Sequence, residues 1–139
     1  MILADTSAWV EYDRATGTAV HQRMIHLIRS EDEQLSVTEP VLMEVLAGAR
    51  SDRQERDLRR LLLRFRLLRF DAASDFDAAA RIYRRCRAAG ITPRGMVDCM
   101  IAAVAWRNGA ALLAQDVDLM RVCQVIGIAL DQSSVRTQT

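Results

Sequence analysis

Short apolar runs alternate along the chain with longer segments whose apolar residues recur at helical spacing. The apolar runs predict strands at residues 1–4, 35–37, 67–70, 110–114 and 128–130. The periodic segments predict helices at residues 8–14, 20–28, from about 38, 51–64, 72–89, 95–108 and 117–125. Because the runs lack polar alternation, they are typical of parallel strands covered on both faces. We therefore expect an α/β fold, a three-layer sandwich whose five-stranded, mostly parallel sheet is flanked by helices.

The composition indicates one compact domain. The chain has 139 residues, half of them hydrophobic, which is enough for a single core. We expect a folded domain over residues 1–131 and a polar, disordered tail over residues 132–139. No segment has the roughly 18 uncharged apolar residues of a membrane span, and Asp5 stands where a secretion signal would be basic. A cytoplasmic protein is expected.

The charged and cysteine residues exclude several kinds of chemistry. All 19 basic residues are arginine, so mechanisms that need a lysine, such as Schiff-base catalysis, are excluded. The three cysteines show no CxxC spacing and no nearby histidine at zinc-ligand spacing, which argues against a disulfide framework and a zinc site. The net charge of +1 gives no global signal for nucleic acid. Any nucleic-acid site must be local.

One local basic segment runs from Arg50 to Arg69. It has eight arginines against three acids, a balance of 8 − 3 = +5. Such a segment could follow an RNA backbone. It could equally be an exposed helix with internal salt bridges, because Glu55 and Arg59 have i, i+4 spacing.

Two acids come directly after predicted strands. Asp5 follows the first strand and Asp116 follows the run at residues 110–114. Binding sites in open α/β sheets lie beyond the carboxyl ends of the strands, so these positions are the first functional candidates. Each acid could instead cap a helix, and Thr6 or Ser7 could cap the first helix.

Two further acids lie on predicted helices. Asp98 falls in the first turn of a strongly apolar helix, beside its apolar stripe, where the helix dipole alone would also favour an acid. Glu44 follows Pro40 in another helix but points away from the centre of its apolar side. Periodicity alone therefore predicts a solvated Glu44 and does not distinguish it from Glu39 as a site residue.

Four segments, in this order, resemble the motifs of PIN-domain ribonucleases, and specifically of VapC toxins. The opening ILADTSAW at 2–9 is similar to the family's apolar strand followed by Asp and hydroxyl residues, and VLMEVLAGA at 41–49 to its helix with one acid. RGMVDCMIAA at 94–103 resembles the third motif, and LLAQDVDL at 112–119 the fourth. One departure is Ala114, at a place where a hydroxyl residue is common.

The resemblance implies an acidic pocket that binds Mg²⁺ or Mn²⁺ and cleaves RNA through metal-activated water. The acids it implies as catalytic and metal-binding are Asp5, Glu44, Asp98 and Asp116. Asp118, Thr6 and Ser7 are accessory candidates, and helix capping would also explain Thr6 and Ser7. Arg94 is a candidate RNA contact, or an arginine of the surface without a role in the site. Hard cations prefer such oxygen ligands, and His21 and His26 lie outside the motifs.

The resemblance also implies partners. It implies a VapB-type antitoxin as the cognate partner, a homodimer, and an RNA substrate for which tRNA is the leading candidate. Candidates for the antitoxin surface are Trp9, Val10 and Tyr12 on the first helix and the apolar side of the helix at 20–28, although core packing explains many of them.

The sequence excludes two other acidic α/β folds and disfavours one alternative of another class. A receiver domain has a similar architecture but needs a lysine, and the chain has none. A haloacid-dehalogenase-type phosphatase needs a second Asp two residues after Asp5, where Ser7 stands. The alternative from another class is a non-catalytic PIN-fold module that binds RNA or protein, which the presence of all four acids disfavours.

Overall fold

The computed structural model describes residues 1–135, whose centre is a parallel sheet of four strands. The strands are β1 (Ile2–Ala4), β2 (Leu35–Val37), β3 (Arg66–Leu67) and β4 (Ala111–Leu113). Their order is β3-β2-β1-β4, so β1 lies between β2 and β4. Ile2 is opposite Leu35 on one side and Ala111 on the other. The predicted α/β class with a parallel sheet is confirmed.

The prediction of a fifth strand at residues 128–130 is wrong within residues 1–135. That segment makes one isolated parallel bridge, between Leu112 and Leu130. Gly127 ends the preceding helix with a φ of 86°, and the Ile128 N–H still bonds to Cys123. Ile128 is still bonded to the helix, and the chain turns again after Leu130. The extended part is therefore too short to form a regular β-ladder with β4.

The third strand also differs from the prediction. It comprises Arg66–Leu67 and ends before most of the apolar run at 67–70. The Leu68 N–H still donates to Val37 O at 2.7 Å, but the Phe70 N–H bonds to the Glu39 carboxylate at 2.8 Å. The Glu39 carboxylate therefore takes the place of a strand partner for the backbone that follows β3.

The predicted helices are all present, close to the bounds that periodicity gave. Seven are present in residues 1–135: α1 (Thr6–Arg14), α2 (Ala19–Arg29), α3 (Glu39–Ala47), α4 (Asp52–Leu62), α5 (Asp75–Ala88), α6 (Met96–Asn108) and α7 (Val117–Ile126). α1 packs against α2 and α3, and α3 also packs against α4 and α6. α5 packs against α6 and α7. Within the described part of the chain, none of these helices is long and apolar enough to cross a membrane.

The core is centred on β1, β4 and α6. Leu3, Leu112 and Leu113 are fully buried, as are Ile101 and Val104 of α6. The three cysteines are also buried and unpaired, as expected. α6 is therefore fixed against the sheet, which fixes the position of the acid in its first turn.

The beginning of the predicted tail is ordered against β4. Ser134 is buried, and its hydroxyl accepts from the Ala114 N–H and donates to Leu112 O, both at 3.1 Å. The Val135 N–H donates to Ala114 O at 2.9 Å. These bonds hold Ser134 and Val135 against the backbone at the end of β4. Residues 136–139 lie outside the described part of the chain.

One buried ion pair joins α5 to α6. Asp75, 1% exposed, accepts from Arg107 Nε at 2.9 Å and from its terminal nitrogen at 2.8 Å. Burial acts to raise the pKa of Asp75, but the hydrogen bonds from Arg107 and from the Asp71 N–H outweigh it and lower the pKa. Arg107 also donates to Arg69 O at 2.6 Å. The pair therefore links both helices to the segment after β3.

We expect Asp75→Ala to lower the free energy of unfolding by about 2–3 kcal/mol, because it leaves a partly buried guanidinium without its partner. The matched control is Asp77→Ala, which removes an exposed i, i+4 partner of Arg81 on the same helix. Its effect should stay below about 0.5 kcal/mol. Urea unfolding of both variants measures the difference, and equal destabilisation would contradict a special role for the Asp75 pair.

Candidate active site

The first two acids leave the sheet side by side. Asp5 follows β1 and Asp116 comes shortly after β4, its neighbour in the sheet. The Asp5 N–H donates to Leu113 O at 2.9 Å, which fixes the end of β1 against the end of β4. Parallel strands end at one edge of a sheet, so this pairing brings the two carboxylates to the same edge.

Both acids also cap helices, so the capping alternative is correct without excluding a role in a site. Asp5, not Thr6 or Ser7, is the N-cap of α1, and its Oδ2 accepts from the Ser7 N–H at 3.0 Å and the Ser7 hydroxyl at 2.6 Å. Asp5 is 2% exposed, and its Oδ1 is buried without a hydrogen-bond partner in residues 1–135. Capping therefore uses one oxygen and leaves the other available to a ligand.

Ser7 connects the two strand ends. Its hydroxyl donates to Asp5 and accepts from the Gln115 N–H at 2.9 Å. A hydroxyl is absent at Ala114, but the Ser7 and Ser134 hydroxyls bond to the backbone at residues 115 and 114. The backbone leading to Asp116 is therefore held by hydroxyl groups from other parts of the chain.

Glu44 lies beside this edge, contrary to the solvated position that periodicity predicts. Its Oε1 accepts from the Thr6 hydroxyl at 2.7 Å, across the contact between α1 and α3. Thr6 follows Asp5 directly, so this hydrogen bond ties Glu44 to the residue next to the first acid. The adjacency of a hydroxyl to Asp5 was visible in the sequence, but its partner was not.

The four acids form one electrostatic group, which is clearest at Asp98 in the first turn of α6. Burial raises the pKa of the Asp98 carboxyl from its ordinary value of 3.8 to about 7. The negative charges of Asp5, Asp116 and Glu44 add to this rise, and Arg94 opposes it. At neutral pH the cluster therefore holds a carboxyl that ionises only in part.

The pKa of Asp5 is also affected by the neighbouring acids. Burial raises its pKa to about 6, the two hydrogen bonds from Ser7 act against the rise, and the charges of Asp116 and Glu44 add to it. Because burial and neighbouring negative charges raise the pKa of both Asp5 and Asp98, the cluster is destabilised when these two acids are ionised.

Arg94 partly neutralises the cluster. It precedes α6 and donates to Asp116 Oδ1 at 3.1 Å and Oδ2 at 3.3 Å. It also forms an ion pair with Asp118, whose own N–H bonds to Asp116 Oδ1 at 2.8 Å. These carboxylates raise the pKa of Arg94. The pairing of Arg94 with a predicted site acid is a feature that the sequence did not reveal.

The ligand atoms of the four acids are of the type that a hard divalent cation prefers. All four groups are carboxylates, which Mg²⁺ and Mn²⁺ prefer, and the free buried oxygen of Asp5 is a ready ligand. No group of three or more possible ligands in residues 1–135 already has the closeness of a coordination shell. His21 is elsewhere, accepting from the Gly17 N–H at 2.9 Å. The cluster is thus a set of neighbouring carboxylates that are not arranged as a coordination shell, and one of them, Asp116, is paired with Arg94.

Comparison with known proteins gives a consistent result. A family model described as the PIN domain matches residues 2–125. Ribonuclease VapC11 of Mycobacterium tuberculosis is 43% identical over 128 residues, which cover 92% of this chain and 96% of that protein.

Solved structures share the fold. The VapBC2 structure of Rickettsia felis, bound to a DNA fragment from its promoter, has a TM-score of 0.73 and 18% identity, covering 94% of this chain and 98% of that one. M. tuberculosis VapC20, described as a Sarcin-Ricin loop cleaving toxin, has a TM-score of 0.67 and 22% identity, covering 86% and 93%. The match to the family model runs from β1 into α7 and contains all four acids. This chain belongs to the PIN-domain family.

Proposed function

We propose that this protein is a metal-dependent endoribonuclease and the toxin of a type II toxin–antitoxin pair. The observation that carries the proposal is the cluster of carboxylates at the carboxyl edge of the sheet, with one buried oxygen left unpaired. The similarity of this chain to proteins named VapC ribonucleases supports the proposed cleavage of RNA. The proposed metal ligands and catalytic acids are Asp5, Glu44, Asp98 and Asp116.

The chain's own residues position these ligands. Ser7 holds one oxygen of Asp5 and so turns the other toward a ligand, and Thr6 holds Glu44 beside it. Asp98 would ionise more readily beside a cation, because a nearby positive charge lowers the pKa of a carboxyl group. When bound, Mg²⁺ or Mn²⁺ would supply a more acidic water and offset the charge that develops on the phosphate oxygens.

Asp118 and Arg94 have a supporting role in this proposal. The Arg94 side chain is exposed where it contacts Asp116, so its guanidinium would be available to a phosphate of RNA if Asp116 held a cation instead. Asp118 then keeps Arg94 near the site through their ion pair. Asp116 retains its backbone hydrogen bonds from Asp118 and Leu119 throughout.

The substrate and partners belong to the same proposal. The substrate is RNA, with structured RNA such as tRNA as the first to test, and the name of VapC20 adds the Sarcin-Ricin loop as a second. A VapB-type antitoxin is the proposed partner, supported by the VapBC assembly among the structures with this fold. We also propose a cytoplasmic location and a homodimer.

The decisive experiment is incubation of the antitoxin-free protein with total cellular RNA in Mg²⁺, in Mn²⁺ and in EDTA, followed by mapping of new RNA ends. We expect discrete cuts that need metal and that fall at least about 100-fold in Asp5→Asn and Asp98→Asn, because each variant removes a charged ligand. Glu39→Gln, whose acid bonds to the Phe70 N–H away from the cluster, is the control. Metal-independent cuts, or full activity in both Asn variants, would overturn the proposed site.

A second prediction concerns stability and pH. Asp5 and Asp98 have folded-state pKa values above 3.8, so between about pH 4 and 7 the folded protein binds more protons than the unfolded protein. In EDTA its stability should therefore fall as pH rises through this range and level off above it. The share of Asp5 alone is on the order of 2–3 kcal/mol.

Thermal unfolding in EDTA from pH 5 to pH 8 measures this effect. Asp98→Asn should flatten the decline and melt above the unmutated protein at pH 8. At pH 7.5, Mn²⁺ should raise the Tm of the unmutated protein and leave that of Asp5→Asn unchanged. Stability that rises with pH in EDTA would contradict the raised pKa values of Asp5 and Asp98.

A third prediction separates RNA contact from metal binding. We expect Arg94→Ala to raise the KM for RNA several-fold, because a phosphate contact is lost, while the Mn²⁺-dependent rise in Tm persists or grows. Arg81→Ala, an exposed arginine of α5 paired with Asp77, is the matched control. An unchanged KM with a lost response to Mn²⁺ would show that Arg94 acts on the acids and not on RNA.

A further inference from the structure

A cleft adjoins the acid cluster and is not explained by catalysis. It has a volume of about 250 Å³ and lies between α1, α3 and α4. Glu44 lines it, and the same carboxylate bonds to Thr6 beside Asp5. A group bound in the cleft would therefore sit next to a phosphate bound at the acids.

The inner wall of the cleft is apolar. Trp9, Val45 and Leu58 line it and are each less than 9% exposed. The Trp9 ring packs against the Phe65 ring, 5.7 Å between centroids, so it forms a fixed wall. Pockets for drug-sized ligands are roughly 300–1,000 Å³, so this smaller cleft suits a single ring system.

Trp9 also carries an unsatisfied donor. Its indole Nε1 is buried and has no hydrogen-bond partner in residues 1–135. A buried tryptophan N–H usually has a partner, and every nucleobase offers ring-nitrogen or carbonyl acceptors. Trp9 lines the cleft, but its Nε1 has no exposed surface, so pairing it with an acceptor on a base requires the wall to move.

The rim is built of ordered polar groups. The Arg50 N–H donates to Gln54 Oε1 at 2.7 Å, and Gln54 Nε2 donates to Asp13 Oδ2 at 3.3 Å. This chain of hydrogen bonds holds the segment after α3 against α1. Arg14 and Arg50 also line the cleft, and neither has an ion-pair partner in the described part of the chain.

We propose that this cleft binds the base of the nucleotide next to the scissile phosphate, with Arg14 and Arg50 contacting the adjoining RNA backbone. This inference rests on the proposed ribonuclease function and assigns its sequence preference to residues outside the acid cluster. Two unpaired arginines at the rim favour a polyanionic chain, and the apolar wall favours a flat ring. Trp9 then serves as a wall and hydrogen-bond donor for a base.

Gly48 offers a way to fill the cleft. It lines the cleft with φ at −80°, and an added Cβ would meet its nearest neighbour, Val45 O, at an ordinary 3.5 Å. Gly48→Leu is therefore compatible with the backbone and adds bulk where a base would lie. Ala47→Leu places the same side chain one residue earlier, at an exposed position that does not line the cleft.

The test compares cleavage of an RNA that carries a mapped cut site with cleavage of the same RNA whose nucleotide beside the cut lacks its base, both in Mn²⁺. Gly48→Leu should lower kcat/KM for the intact RNA about tenfold more than for the abasic RNA, and the base preference at the cut should weaken. Gly48→Ala should have a smaller effect, and Ala47→Leu none. Arg14→Ala should raise the KM for RNA several-fold and keep the base preference.

The outcomes separate this inference from the function it rests on. If the unmutated protein cuts RNA and Gly48→Leu, folded by thermal melt, keeps the same rate and base preference, the base cleft is wrong and the ribonuclease stands. If Gly48→Leu cuts RNA normally but no longer binds a VapB-type antitoxin, the cleft holds a protein side chain and the inference is overturned. If the unmutated protein cuts no RNA, the proposed function fails and the base cleft fails with it. If Gly48→Leu does not fold, Arg14→Ala decides: an unchanged KM for RNA overturns the inference.

Discussion

The parallel pairing of β1 with β4 is the constraint on which the site depends. It places Asp5 and Asp116 at one edge of the sheet, and the hydrogen bond from Asp5 N–H to Leu113 O fixes their backbones together. Capping of α1 and α7 then directs one carboxylate oxygen of each acid to its own helix. The same interactions that begin two helices therefore concentrate negative charge at one place.

That concentration has a physical cost, which is visible in the raised pKa values of Asp5 and Asp98. Buried, like-charged groups persist in a fold when other interactions hold them there. Here the holding groups are Ser7, Thr6 and Arg94, each bonded to a different acid. The site is thus held by hydroxyls and one guanidinium in a state that a divalent cation would relieve.

The helices and the central strands were predictable because short-range patterns determine them. The run at 35–37 became β2 with those bounds, and α6 ends at Asn108, followed by Gly109, whose φ of 62° suits a glycine. Predictions failed where a segment's role depends on distant neighbours. The run at 128–130 makes one parallel bridge, because its pairing depends on where the segment lies against Leu112 of β4.

The sequence by itself determined the α/β class, the position of Asp5 and Asp116 after strands, and, through the order of its motifs, the PIN-domain family. The motif resemblance also named Glu44 and not Glu39, which periodicity could not do. The tertiary structure shows how the two differ: the Thr6 hydroxyl bonds to Glu44, whereas Glu39 accepts from the Phe70 N–H at the end of the sheet. It alone revealed that Arg94 pairs with Asp116, and that a cleft opens beside Glu44. Periodicity reports which face of one helix is buried, whereas a site is made by side chains from several elements meeting in space.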